Sequence, residues 1–331
     1  MKALSYSFSL FSLLIGCCFG LFACGGNGAE QAATAVDVVV STNPAKPKAQ
    51  ALLLIQNFPY DATRKDSIAG KYTQQVKVTV PADLRPQNKW VMFEGPVLEN
   101  DLVAYRFYMD SRHRFDIYGK RVHDLVMDTV SWQYHDIMDW GSDILKVGNS
   151  LGIGSPGVLY QDSIYTLSNY GEKSIEVIQA QGDIARIRTT FNDLLIGDQT
   201  MKLVQEWSLR VGRREADISL RVEKGSLPKG ASFVTGVVNH DTDLQVLDMA
   251  NSKAVFSWGK QSFHGENMGM AVFAKADLVD RSQENPLTHL LVFKPGLSEV
   301  DYSFMSAWER GVVSIKTQSE FQAAIIKATS N

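Results

Sequence analysis

From residue 201 the chain alternates. Met201, Leu203, Trp207, Leu209 and Val211 are apolar, and Lys202, Glu206, Ser208 and Arg210 between them are polar. After Gly212-Arg213-Arg214 the same period of two returns, with Ala216, Ile218, Leu220 and Val222 set against Asp217, Ser219, Arg221 and Glu223. Successive strand side chains point to opposite faces, so this pattern predicts an antiparallel hairpin with one buried and one solvated face. Weaker runs of the same kind predict strands at 75–80, 90–94, 103–109, 175–180, 185–191, 233–239, 255–257, 270–274 and 290–294. A helical period is readable only at 137–147 and 319–327. Many strands, Gly-rich turns and few short helices predict an all-β chain folded as a large antiparallel sandwich.

Composition adds bounds. The chain has 331 residues, 45% hydrophobic and 21% charged, which is enough for one large core and unlike a disordered tail. A formal charge of -3 leaves no basic excess, so nucleic acid is not an expected partner. An acidic ligand would have to be met by local Arg and Lys.

The first residues read as an export signal. Met1-Lys2 precedes an apolar stretch that runs to Ala23. Leu21-Phe22-Ala23-Cys24 resembles a bacterial lipobox, and Gly25-Gly26-Asn27-Gly28 resembles a lipoprotein tether. Leu14-Ile15-Gly16-Cys17 is the competing lipobox, but it would leave the apolar run Phe19–Phe22 on the mature protein, so Cys24 is the expected lipidation site. The reading is a signal peptide at 1–23, a linker at 24–50 and one domain at 51–331. It implies export and lipid anchoring to a bacterial membrane, with the periplasmic face of the outer membrane as the expected location. All three cysteines (Cys17, Cys18, Cys24) lie in the leader, so the body carries no disulfide, thiol nucleophile or Cys-based zinc site.

Chemistry concentrates at 94–157. His113, His123 and His135, with Trp132 and Trp140, fall there among many Asp, Arg, Lys and Tyr. The motifs Glu94-Gly95-Pro96, Glu99-Asn100-Asp101, Ala104-Tyr105-Arg106, Asp116-Ile117-Tyr118-Gly119-Lys120, Asp139-Trp140-Gly141 with Asp143, and Lys146-Val147-Gly148 through Gly154 occur in that order. Thr235-Gly236 and Trp258-Gly259 follow further on. Together they resemble domain of unknown function family 4861. The resemblance implies a galactose mutarotase-like β-supersandwich. It also implies a part in degrading uronic-acid-containing polysaccharides, as a dehydratase acting on uronate-terminated oligosaccharides. It brings no assignment of catalytic residues.

Two local matches carry little. Gly148-Asn149-Ser150-Leu151-Gly152 fits G-x-S-x-G, and Gly152–Gly157 fits G-x-G-x-x-G, but each needs a strand before it and a helix after it. Pro156 argues against that helix, and a loop needing close backbone approach is the better reading. The histidines are too widely spaced for a local zinc motif. No cofactor is expected, although Asp139 and Asp143 are of a type that could hold calcium.

The remaining residues divide by role. Trp132 and Trp140 are candidates to stack on a sugar face, and Arg106, Arg112, Arg114 and Lys120 to hold its carboxylate. His113, His123 and His135 are candidates for a base, and Tyr134 or a second histidine for an acid. His240 and His264 sit where strands give way to loops and are reserve candidates, with Glu266 as an available partner of His264. The expected partner is an anionic oligosaccharide. A non-catalytic glycan-binding lipoprotein and a sugar mutarotase or epimerase stand as alternatives.

Overall fold

A computed structural model describes residues 48–330, except Lys65, Asp66 and Ala69. The expected signal peptide, Cys24 and most of the linker lie outside the described residues. Contacts gather Lys46–Asn331 into one compact unit.

Three large antiparallel sheets build it. The longest has nine strands in the spatial order Gln245–Asp248, Ser252–Lys260, Asn267–Lys275, Glu299–Trp308, Glu215–Lys224, Gln199–Arg210, Ile184–Ile196, Glu172–Gln179 and Lys77–Thr79. Six strands form the second, in the order Gln181–Gly182, Ala49–Leu52, Val97–Asn100, Val103–Phe107, Phe115–Lys120 and Gly141–Asp143. The third has five, Ser163–Thr166, Gly157–Tyr160, Ser232–Val238, Thr288–Phe293 and Val279–Gln283. The alternating hairpin lies at the heart of the nine-stranded sheet, in the register Leu203 to Val222, Trp207 to Ile218 and Leu209 to Ala216.

One core joins the sheets. Leu203, Trp207, Ile218 and Phe304 from the nine-stranded sheet meet Tyr105, Phe107, Phe115 and Ile117 from the six-stranded sheet, and Phe233 and Phe293 from the third. Each buried side chain of this size contributes roughly 1.5–3 kcal/mol. Behind the nine-stranded sheet, Gln318–Thr329 is the α-helix predicted near the C-terminus. Thr317 and Glu320 close it with a capping box, while Phe321 and Ile325 pack on Ala254, Phe256 and Met305.

The chain departs from the predicted elements in two informative places. No helix forms at 137–147. Gly141–Asp143 is instead a short strand paired with Tyr118–Lys120, and Gly141, at φ +142, sits so close to the Gly119 carbonyl that a Cβ would collide with it. No strand forms at 90–94 either. Phe93 and Glu94 take left-handed φ values of 61 and 60, which strands exclude, and Met92–Glu94 makes a single 3-10 turn. The Gly-rich loop behaves as a close-approach loop: Cβ atoms on Gly152 and Gly154 would meet the Phe115 carbonyl and the Phe304 ring, and a strand rather than a helix follows at Gly157. Among the described residues no helix is long and apolar enough to cross a membrane.

Candidate functional site

The site grows from a sheet whose two faces are both covered. Along Val103–Phe107 the residues Val103, Tyr105 and Phe107 enter the main core, so Ala104 and Arg106 face the other way. The turns carrying Met92, Phe93, Met127 and Tyr134 lie over that second face, leaving Arg106 1% exposed. Antiparallel register sets Asp116 opposite Arg106 and Asp143 opposite Tyr118. A guanidinium fixed there must find partners, and the strands supply them.

Arg106 Nη2 donates to Asp116, to Asp143 at 2.8 Å and to the Tyr108 hydroxyl at 2.7 Å. Its Nη1 donates to the Tyr134 hydroxyl at 3.2 Å and the Phe93 carbonyl at 3.3 Å. Tyr108 in turn donates to Asp116 at 2.8 Å. The left-handed turn at Phe93 and Glu94 aims that carbonyl inward and brings Glu94 within 3.9 Å of Arg106 and into contact with Arg112. Arg112 also grips Asp110 and lies 3.7 Å over the Tyr108 ring.

Four carboxylates thus share two guanidiniums. Burial, then the neighbouring Asp116 carboxylate, push Asp143 well above the usual carboxylate range, and Arg106 only partly offsets them. The close Arg106 contact does not contradict this, because the same nitrogen serves both Asp116 and Asp143. Two like charges on one cation repel each other, which favours the protonated form of Asp143.

The network reaches solvent at His135. Its side chain is 55% exposed, and Nδ1 lies 3.4 Å from Asp143 Oδ2. That contact turns Nε2 away from the carboxyl group. Burial, then the charge on Arg106, lower the His135 pKa, so the ring is neutral at neutral pH. The ring also stacks on Phe263, with centroids 5.8 Å apart at 28°. Phe263 is 40% exposed, and its loop is pinned by its own N–H on the Ile144 carbonyl at 2.7 Å and by His264 Nε2, 2.8 Å from Ser142 Oγ. Lys146 Nζ stands 5.2 Å from the Phe263 centroid. His240 donates Nε2–H to the Lys146 carbonyl at 2.8 Å.

His135 and His264 therefore meet at one exposed aromatic ring although they are far apart in sequence, and His240 holds the backbone of Lys146, whose ammonium reaches the same ring. Phe263 itself, Asp143 as a partner of His135, and Glu94 and Tyr108 are site residues that sequence reasoning did not select. Only the loop position of His264 pointed towards Phe263.

Other candidates are placed elsewhere. His113 is buried between Phe107 and Phe191 with Nε2 at 3.0 Å from Gln205 Oε1, and burial, then Lys173, push its pKa well below the usual value. It belongs to the core. His123 caps the Asp101 carbonyl, away from the cluster. Lys120 is buried on Glu99 at 2.7 Å, and Arg114 donates to the Gly148 carbonyl. The Tyr134 hydroxyl is buried on Arg106. Trp132 donates to the Tyr72 hydroxyl at 3.2 Å beneath Lys89, and Trp140 lines a small surface cavity of about 130 Å³ with Gln133 and Met138. Glu266 is engaged by Ser262, Trp308 and Arg310 rather than by His264. Among the described residues no three His, Cys, Asp or Glu side chains converge to hold a metal. A groove of about 460 Å³ on the outer face of the nine-stranded sheet, over Ser208, Asp217 and Ser303, shares no residue with the cluster.

Fold and site together define an all-β antiparallel sandwich carrying a buried Arg–carboxylate network that opens at a histidine and an aromatic ring. The chain belongs to the family described as Domain of unknown function (DUF4861), which matches residues 27–331. No curated protein matches its sequence. Among solved structures it is similar to a protein described as a kojibiose phosphorylase from the human microbiome, with a TM-score of 0.41 and 10% identity over 71% of this chain. The chain spans 32% of that protein's length. It is also similar to a protein described as an aldose 1-epimerase from Klebsiella pneumoniae, with a TM-score of 0.35 and 8% identity over 85% of this chain and 95% of the other. Both activities are provisional assignments, and likenesses this distant carry no argument about chemistry.

Proposed function

We propose that the protein is a carbohydrate-active enzyme that removes water from a uronate at the non-reducing end of an oligosaccharide. The observation that carries this reading is His135: neutral, exposed, held by Asp143 and set beside an exposed aromatic ring. A flat ring at the surface offers a platform for the apolar face of a sugar, and a neutral histidine next to it can accept a proton.

The reaction balances with the groups present. His135 Nε2 takes the proton from C5, the electron pair of that C–H bond forms the C4=C5 double bond, and the C4–O bond breaks. The departing hydroxyl takes a proton and leaves as water, with His264 on the same rim as the donor. The carboxylate beside C5 gains negative charge as the proton leaves, so a cation at the site lowers the barrier. Tyr134 takes no part in this scheme because its hydroxyl is committed to Arg106.

The test is product analysis with uronate-terminated oligosaccharides. Dehydration lowers the product mass by one water and creates an ultraviolet-absorbing conjugated double bond, whereas anomer exchange or simple binding leaves the mass unchanged. An unchanged mass across a panel of such saccharides would refute the reading. The proposal includes lipid anchoring at Cys24, and mass spectrometry of the membrane-associated form checks it: diacylglyceryl on Cys17, or no lipid, would overturn it.

A further inference from the structure

Lys146 is a cation without a carboxylate. Among the described residues it forms no ion pair, in a protein where Arg106, Arg112 and Lys120 are each tied to acidic side chains. Its neighbours are an aromatic ring, Phe263, and the backbone. The backbone on either side is fixed by side chains from distant parts of the chain: His240 donates to the Lys146 carbonyl, and Arg114 donates to the Gly148 carbonyl. An exposed lysine loses rotamer entropy when it is held in place. Fixing the backbone beneath it leaves only the side-chain torsions to be ordered on binding.

Position gives the charge a purpose. Lys146 and His135 meet the same exposed ring, at 5.2 Å and 5.8 Å. A sugar lying against Phe263 therefore has a neutral histidine and an unpaired ammonium within reach together. Asp143 and Asp116 are buried beneath the ring and held by Arg106, which leaves Asp136 as the exposed carboxylate acting on His135. Glu266, in the same loop, is turned to Arg310 at 2.8 Å. The arrangement favours a ligand carrying an anionic group close to its ring.

We propose that Lys146 is the specificity-determining residue of this site, binding the carboxylate of the sugar and selecting acidic over neutral saccharides. Arg114 and His240 are positioning residues that act through the 146–148 backbone. The inference rests on the carbohydrate reading of the site and names the group that sets its substrate class. A charge-assisted hydrogen bond to a carboxylate at a partly exposed site corresponds to about a tenfold preference.

The experiment compares a uronate-terminated disaccharide with its carboxyl-reduced counterpart, which differs only in charge, using calorimetry for binding and product mass for turnover. The full chain is used as wild type, Lys146→Met and Lys146→Arg. Wild type is expected to bind the acidic sugar at least about tenfold more tightly, with the difference shrinking as salt is raised. Lys146→Met is expected to bind both sugars as weakly as wild type binds the reduced one, raising KM, and to lower kcat as well because the cation that offsets the developing charge is gone. Lys146→Arg should restore most of the preference. Retention of the full preference by Lys146→Met overturns the inference while leaving the carbohydrate reading intact, provided wild type still forms product. Equal loss of both sugars by Lys146→Met also overturns it, because the residue then acts through packing. A wild type that binds neither sugar and forms no product refutes the carbohydrate reading itself.

Discussion

Lys173 lies on the strand Glu172–Gln179 and points inward with Ile175 and Val177. It is fully buried, it donates to the Asp110 carbonyl at 3.0 Å, and its other neighbours are the rings of Tyr170 and Phe191. Burial lowers its pKa from 10.5 to about 7, and the Asp110 charge only partly opposes that. The unfolded chain keeps the ordinary value, so between about pH 7 and pH 10.5 it binds a proton that the folded protein releases. Stability contributed through this group therefore rises with pH across that window and is lowest below it. At about 1.36 kcal/mol per pKa unit the full cost of the buried charge is on the order of 5 kcal/mol. Lys173→Met removes that cost but leaves the Asp110 carbonyl without its donor, a loss of about 1–3 kcal/mol. The variant should be more stable than wild type by roughly 2–4 kcal/mol near pH 6, and the difference should reverse to a loss of roughly 0–2 kcal/mol towards pH 10, where the missing hydrogen bond outweighs the residual charge cost. Urea denaturation of both proteins across that range measures the two slopes. Parallel curves for wild type and variant would show that Lys173 stays protonated in the fold and would refute the reasoning.

Four further outcomes follow from the same structure. His113 is buried neutral, so below about pH 6.5 the unfolded chain takes up a proton that the fold refuses, and denaturation midpoints should fall as pH drops through that range more steeply than in His113→Gln. Arg106→Met strands the buried Asp116 and Asp143 and should cost about 3–5 kcal/mol in urea denaturation, with Asp116→Asn in the same chain recovering part of it. Gly154→Ala places a Cβ about 2.2 Å from Phe304 at φ +68 and should cost roughly 2–4 kcal/mol, read as a lowered melting temperature. With His135 as base, kcat/KM should rise with pH through a midpoint below 6.5, read from a pH–rate profile.

The sheets were legible because their signal is local. The period of two in Gln199–Arg210 and Glu215–Lys224 arises from one dry and one wet face, and any reader of the sequence can see it. Strand Phe115–Lys120 hides because both of its faces are buried: Asp116 and Lys120 lie inside as members of ion pairs, so their polarity reads as exposure. The helical look of 137–147 comes from Ile137, Ile144 and Leu145, which reach the main core from a turn and a strand edge rather than from one helix face. The site divides in the same way. Its residue types crowd into 94–157 and were visible there, but residue type does not say which histidine is covered. His113 is enclosed by Phe107 and Phe191, and His135 is open beside Phe263, two facts set by contacts across 78 and 128 positions that no local pattern records. Arg106 looked like a ligand-holding arginine. Its strand places it at the centre of a network, and the exposed cation beside Phe263 is Lys146.

The central claim is that His135 abstracts the proton. Turnover of a uronate-terminated oligosaccharide by wild type and by His135→Ala, each first shown to be folded by its denaturation midpoint, tests it most directly. A base of this kind contributes about 10²–10⁴-fold, so the variant should lose that much in kcat while leaving the binding of the acidic sugar within a few-fold of wild type. Undiminished formation of the unsaturated product by His135→Ala would contradict the account and move the chemistry away from Phe263.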